Sequence, residues 1–318
     1  MTTQAEVYIG IDVGKSWLDV AIWGEDKVWR VANDAEGIGQ VMERVTRLEP
    51  QIIAVEATGG YEQMAVQTML LNNLPVAVIN PTRVRALSKA TGKLAKTDVI
   101  DARLIAEYAC KVQPEALAPK QASEIRLKAL VTRREQLVEM CTMEQNRLGT
   151  APSCAKVDIR EHIDWIRERI VEIEKQVDEL VDSLPEWKEQ ADRLDSIPGV
   201  GRITAVSILA ELPELGQINR QKIAALAGLA PFNQDSGKKR GKRRIFGGRK
   251  GVRRVLYMAC LSAIKCNPII KSLYTRLTEK KGKVFKVAIT ACMRKMLTIM
   301  NAMTRDRVDW RPPVSIPH

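Results

Sequence analysis

Four carboxylates stand where they can act together. Asp12 ends the apolar run Tyr8-Ile9-Gly10-Ile11, Glu56 ends a second run, Gln51–Glu56, and Asp98 and Asp101 lie three residues apart. A spacing of three on a helix puts both acids on one face. Clustered carboxylates repel one another unless cations fill the space between them, and hard oxygen donors favour Mg²⁺ or Mn²⁺. Two such ions can activate an attacking oxygen and stabilise a leaving one. Each acid also has a plainer reading. Asp98 suits the first turn of any helix, and Glu56 suits a strand end at the surface. Asp12 is harder to dismiss, because after its apolar run it would otherwise face a half-buried sheet. Lys15, Lys93 and Lys96 are near enough in sequence to approach phosphate, although a solvated charge explains each one.

A second concentration of chemistry lies far downstream. Between residues 238 and 254 there are ten cations and no acid: Lys238, Lys239, Arg240, Lys242, Arg243, Arg244, Arg249, Lys250, Arg253 and Arg254. Glycines interleave at Gly237, Gly241, Gly247, Gly248 and Gly251, which lets the backbone come close to a ligand. A merely solvated charge run does not need them. Ser236 precedes this stretch in Asp235-Ser236-Gly237. A serine in that setting is ordinarily a turn residue. Beside so many cations it is also a candidate nucleophile, since arginines can stabilise the charge that develops on an attacked phosphodiester. Between these regions, Ile197-Pro198-Gly199-Val200-Gly201 followed by the apolar segment Ile203–Leu212 has the form of a helix-hairpin-helix element. Gly199 and Gly201 there could offer backbone N–H groups to a phosphate; the alternative is a Pro-Gly turn between packed helices.

Composition agrees with a polyanionic partner. The 318 residues carry 50 Lys+Arg against 38 Asp+Glu, a formal net charge of +12, and neutralising phosphates releases condensed counterions. Six scattered cysteines without a C-x-x-C pair and only two histidines, His162 and His318, argue against a zinc site, a disulfide framework and histidine acid–base catalysis. No P-loop pattern is present. Neither a signal-like N-terminal run nor 18 consecutive apolar residues occur, so the expectation is a cytoplasmic, nucleoid-associated protein with no membrane partner.

The elements that must position these residues follow from periodicity. Val7–Val13, Trp17–Trp23 and Lys27–Ala32 alternate like strands; Ala35–Leu48 has helical spacing; Gln51–Glu56 is a buried-strand run. Tyr61–Asn72 is predicted as helix, Val76–Ile79 as strand and Pro81–Ala90 as helix with proline in its first turn. A further helix capped by Thr97 runs to about Lys111. The order β-β-β-α-β-α-β-α defines an α/β, ribonuclease-H-like N-terminal domain. Two long helices follow, Ser123–Ala151 and about Asp158–Leu184. In the second, Ile163, Ile166, Ile170, Ile173, Val177, Leu180 and Leu184 step by threes and fours like a coiled-coil seam, facing either the first helix or another protomer. The expected organisation is 1–120 metal-binding domain, 121–190 coiled-coil segment, 191–310 mainly α domain with the hairpin and serine loop, and 311–318 a Pro-rich tail.

Taken in order, IGIDVGK, VEATGGY, NP-T-R followed by K-T-D-V-I-D-A, SIPGVG, AGLAP, D-S-G and GGRKGVRRVLYMA resemble the DEDD-type insertion-sequence transposases of the "one-ten" family, related to the pilin-gene invertase Piv. The resemblance runs from about Val7 to Asn301. It implies a RuvC-like N-terminal domain, a helical coiled coil and a C-terminal transposase domain. By motif match the acidic tetrad falls on Asp12, Glu56, Asp98 and Asp101, and the nucleophilic serine on Ser236, which would form a phosphoserine link to DNA. The arginine assisting it is one of Arg240, Arg243, Arg244 and Arg249. The resemblance further implies a noncoding bridge RNA that pairs with donor and target double-stranded DNA, and dimers assembling into tetramers with composite active sites. The function expected is therefore that of an RNA-guided DNA recombinase. The rivals are a metal-dependent, junction-resolving nuclease in which water attacks, and a non-catalytic nucleic-acid scaffold.

Overall fold

Short, largely apolar segments pair edge to edge to make the first half of a sheet. In the computed structural model, which describes residues 6–92, 98–119, 121–232 and 244–312, these are β1 (Tyr8–Val13), β2 (Trp17–Ile22) and β3 (Val28–Ala32), each antiparallel to the next. The chain continues through α1 (Ala35–Arg47), β4 (Ile52–Glu56), α2 (Gln63–Leu71), β5 (Val76–Ile79), α3 (Pro81–Ala90) and α4 (Asp98–Val112). β4 lies parallel to β1 and β5 parallel to β4, giving the order β3-β2-β1-β4-β5. Parallel neighbours require a crossover, and α1 and α2 supply the crossovers into β4 and β5. The expected element order is present. Local chemistry starts the helices: Asp34 accepts from the Gly37 N–H at 2.8 Å to cap α1, and Asn80 accepts from the Thr82 N–H at 2.9 Å ahead of Pro81 in α3. Thr97, the expected cap of α4, lies outside the described residues.

Alternation along the strands divides the sheet into two faces. Ile9, Ile11, Val13, Leu18, Val20, Ile53 and Val55 point to one side and form a core with Ile38, Val41, Val45 of α1 and Ala65, Met69 of α2. Tyr8, Ala54, Ala77 and Ile79 point to the other, against Leu104, Ile105, Tyr108 and Ala109 of α4. On that second face small residues bring α4 very close. A Cβ on Gly10 would lie 2.2 Å from the Ala106 nitrogen and 2.4 Å from the Ala102 oxygen, and Ala21 packs on Ala102 and Ala106. The Gln113 amide beyond the helix's C-terminal end donates to the Tyr8 hydroxyl at 2.8 Å. Tyr8 begins β1, so α4 runs antiparallel to β1 and its N-terminal turn reaches the end where Asp12 sits.

The chain divides into two units, Met1–Ile125 and Arg126–His318. In the second, α5 (Ala122–Thr150) and α6 (Lys156–Asp182) pack on one another within the chain. Leu137 and Cys141 meet Ile163 and Ile166, and the Arg134 guanidinium pairs with Glu174 at 2.6 Å. Helices α7 (Pro185–Asp195), α8 (Arg202–Glu211) and α9 (Arg220–Leu226) lead to β6 (Pro231–Phe232) and β7 (Arg244–Ile245), then α10 (Lys250–Cys266), α11 (Pro268–Thr275) and α12 (Phe285–Asp306). Leu194, Ile208, Leu256, Met296 and Met300 lie in their common core. No helix among the described residues is long and apolar enough to cross a membrane.

Because a side chain at residue 10 would collide with helix backbone, Gly10→Ala must push α4 off the sheet. The expected cost is about 1–3 kcal/mol, read as a lower midpoint in thermal or urea unfolding. An unchanged midpoint would show that α4 does not sit on β1 in this way.

Candidate active site

β1 and β4 are in register through Gly10–Ala54 and Ile11–Val55, so Asp12 and Glu56 are the next residues on each strand. Both continue the α4 face, Asp12 after Gly10 and Glu56 after Ala54. Asp101 stands in the first turns of α4, one residue before the Ala102 that abuts Gly10. The three acids are all half-buried. They are brought to one edge of one face by two strand ends and one helix start. Asp98 is the first residue of the same helix; its side chain is outside the described residues, as are Lys93 and Lys96. Chemically the set fits Mg²⁺ or Mn²⁺, since every donor is a hard oxygen. Among the described residues, however, no three acidic, histidine or cysteine side chains are grouped closely enough to hold an ion.

Two turns frame this edge. Gly14 donates to the Trp17 carbonyl at 2.8 Å to close the β1–β2 connection. The Asn33 amide nitrogen donates both to the Gly14 carbonyl at 2.9 Å and to the Tyr61 carbonyl at 3.1 Å, fastening that connection to the loop after β4. The loop itself is built around Glu62, whose carboxylate accepts from the Thr58 N–H at 3.1 Å, the Thr58 hydroxyl at 3.0 Å and the Gly60 N–H at 2.8 Å. Burial disfavours that charge, but these hydrogen bonds outweigh it and hold the Glu62 carboxyl below the ordinary range. Gly59 and Gly60 adopt φ of +82° and +133° there, conformations that side chains resist.

A fifth carboxylate, not singled out by its sequence, lies beside Asp12. Asp19 is the cross-strand partner of Asp12 and Arg30 is the partner of Asp19, so the three share a face. Asp19 is 5 % exposed and takes both arms of the Arg30 guanidinium, at 2.9 and 2.8 Å. A charged residue amid the apolar alternation of Trp17–Ile22, opposite an arginine in Val28–Ala32, was the available signal.

In the second unit, the hairpin turn is shaped by packing. Gly199 has φ +92° and a Cβ there would meet Ala263 of α10 at 2.6 Å. The Asn267 amide, fully buried, donates to the Pro198 carbonyl at 3.2 Å. Gly201 is exposed and heads α8. The neighbouring Arg202 is ringed by Asp178, Asp182 and Asp192 at 3.4, 2.6 and 2.6 Å, acids that an approaching phosphate would also meet.

The A-G-L-A-P and G-G-R-K-G segments touch backbone to backbone. Gly228 and Gly248 have φ of +66° and +68°, and a Cβ on Gly248 would lie 2.1 Å from the Gly228 nitrogen. Arg249 donates to both Glu214 oxygens at 2.6 Å and to the Glu211 carbonyl at 2.7 Å; the Glu214 hydrogen bonds, against the opposing effect of burial, raise its pKa further. Arg253 donates to the Ala227 carbonyl at 3.2 Å and to Gly247, and Arg254 pairs with Glu135 at 2.5 Å and with Glu139. These three arginines hold the frame, while Lys250 is exposed at the start of α10. Pro231–Ile245 and Phe232–Arg244 pair antiparallel. Ser236, Lys238, Lys239, Arg240, Lys242 and Arg243 lie outside the described residues, as does the Arg244 side chain. Burial lifts the Cys260 thiol to about 12 and Cys292 to about 11, which disfavours a thiolate at either.

The Asp19–Arg30 pair gives a measurable coupling. Arg30→Leu leaves a buried carboxylate uncompensated and is expected to cost about 2 kcal/mol in urea unfolding, less than for a wholly buried pair because the guanidinium is partly solvated. Asp19→Leu/Arg30→Leu should cost less than the two single changes combined; strict additivity would mean the pair is not coupled.

Comparison with known proteins accords with this architecture. A transposase model of the DEDD IS110 type matches residues 9–151, and a model described as transposase of the IS116/IS110/IS902 family matches residues 191–275. The chain is 30 % identical to the pilin gene-inverting protein of Moraxella lacunata over 313 residues, covering 95 % of this chain and 97 % of that protein. It is 29 % identical, with the same shares, to the Moraxella bovis protein of that description. It is 23 % identical to the transposase for insertion sequence element IS1111A of Coxiella burnetii, over 73 % of this chain and 70 % of that one. With a ribonuclease-H-like first unit bearing acids at one sheet edge, and matches spanning both units, the chain belongs to the IS110 family of transposases.

Proposed function

We propose that this protein cuts and rejoins DNA through a covalent phosphoserine on Ser236, using a divalent metal held by Asp12, Glu56, Asp98 and Asp101. The observation that carries the reading is the antiparallel lie of α4 on β1, which brings the start of α4 to the strand ends bearing Asp12 and Glu56. Proteins described as gene-inverting and as transposases are both similar to this chain, and inversion and transposition share the breaking and rejoining of strands.

In the proposed reaction the Ser236 Oγ attacks the scissile phosphorus. A new P–O bond forms as one phosphodiester P–O bond breaks, and the serine proton ends on the departing oxygen, leaving a free hydroxyl. Rejoining reverses the roles: a strand hydroxyl attacks the phosphoserine, and Ser236 recovers a proton. Bond energy is kept throughout, so no nucleotide hydrolysis is needed. Mg²⁺ or Mn²⁺, when bound, would supply charge stabilisation at the phosphoryl oxygens. The four carboxylates would hold that charge in place, and one of Arg240, Arg243 or Arg244 would face the attacked phosphate. Arg249 is the weakest of the four candidates because its guanidinium is committed to Glu214. Lys250 and the lysines and arginines of 238–244 would contact donor and target double-stranded DNA, with Gly201 at the head of α8 as a secondary phosphate contact. The net charge of +12 also suits the noncoding bridge RNA that the family resemblance implies, and the assembly would be dimers joined into tetramers.

The test is strand cleavage of element-end DNA with Mg²⁺ and the flanking transcript, with products run on denaturing gels before and after protease. Wild type is expected to leave DNA attached to protein, and Ser236→Ala and Asp12→Ala to leave none. Cleavage to free ends by Ser236→Ala would instead make the protein a hydrolytic nuclease.

A further inference from the structure

We infer that Trp17 and Tyr61 form a stacking platform for unpaired bases of a DNA strand at the acidic edge, so that the first unit grips single-stranded DNA there as well as holding metal. The inference rests on the reading that this edge receives DNA.

Trp17 begins β2 and alternates onto the same face as Asp19, which is the cross-strand neighbour of Asp12. It is 51 % exposed. Tyr61, in the loop directly after Glu56, is 50 % exposed. Two large aromatic residues are therefore half exposed, one on the strand beside that of Asp12 and one in the loop that follows Glu56, where burial would ordinarily claim them.

Their backbones are fixed. Trp17 is paired with Ala32 in the sheet and its carbonyl accepts from Gly14 at 2.8 Å. The Tyr61 carbonyl and the Gly14 carbonyl share the single Asn33 amide, so both rings are carried on backbone joined at one point. Glu62 pins the Tyr61 loop from within, through Thr58 and Gly60. Among the described residues neither ring stacks on another aromatic ring or under a cation. Lys15 lies exposed in the turn between β1 and Trp17, a cation able to meet the backbone phosphate of a strand whose bases lie on the rings.

Rigid, exposed aromatic faces next to a cation are what binding of unpaired bases requires, because every base has a π face and stacking tolerates any sequence. A duplex offers no such faces without unstacking, so the platform selects a strand that has been opened at the site of cutting.

The experiment uses the full chain in EDTA, so that no cleavage occurs, and an oligodeoxynucleotide containing 2-aminopurine. Wild type is expected to bind the single strand and quench the probe, and to bind the matching duplex with less quenching. Trp17→Ala and Tyr61→Ala should each weaken binding about ten-fold or more with quenching lost, while Trp17→Phe and Tyr61→Phe retain both. Thermal melting of the variants separates this loss from misfolding. Wild-type affinity and quenching in both alanine variants would overturn the inference, as would phenylalanine variants as weak as the alanine ones. Quenching with an oligoribonucleotide of the same sequence but not with DNA would overturn the assignment to DNA. If quenching behaves as expected but no protein–DNA adduct ever forms, the platform stands and the serine chemistry falls. If adducts form and the alanine variants bind normally, the reverse holds.

Discussion

The contact between α4 and the glycine of β1 sets the geometry of the first unit. A strand with a side chain at position 10 would push the helix outward, because a Cβ there would lie 2.2 Å from the Ala106 nitrogen. With Gly10, Ala21, Ala102 and Ala106 in the interface, backbone meets backbone. That approach fixes the helix axis against the sheet, and its antiparallel sense decides which end of α4 meets which end of β1. The start of α4, with Asp101 in its first turns, thereby lies toward the strand ends rather than at the opposite edge of the sheet. Everything else at this edge, including the Asn33 clip and the Glu62 turn, trims loops around a position the helix has already set.

The second unit uses the same device in another form. Gly228 and Gly248, both with positive φ, bring the A-G-L-A-P and G-G-R-K-G segments into backbone contact. Arg249 and Arg253 then lock the junction by donating to Glu214 and to carbonyls on either side. The basic stretch thus divides by role. Its C-terminal arginines, Arg249, Arg253 and Arg254, are engaged within the unit, while Lys250 stands exposed at the start of α10.

Much of this was legible beforehand, for identifiable reasons. β1, β4, β5, α1 and α3 follow from apolar periodicity and, for α3, from the proline in its first turn, which act locally. Placing the ends of β1 and β4, which carry Asp12 and Glu56, side by side needed only the element order and the rule that parallel strands align their ends. The Asp19–Arg30 pair was not visible, because it depends on the register between β1, β2 and β3, and alternation alone does not fix which residues face each other. Nor was the role of Arg249, Arg253 and Arg254: in sequence they are indistinguishable from the other cations, and their acidic or carbonyl partners lie tens of residues away. Gly199 was legible as a turn, but the reason for it, Ala263 on α10, is a tertiary contact.

The most direct test of the central arrangement is Mn²⁺ binding to the full chain by calorimetry or electron paramagnetic resonance, comparing wild type with Asp12→Asn, Glu56→Gln and Asp101→Asn. If strand ends and helix start converge as described, each substitution weakens or removes one and the same binding event, and the melting midpoint measured without metal changes little. Wild-type Mn²⁺ binding in all three variants, or loss of a different event in each, would show that these acids do not share a site.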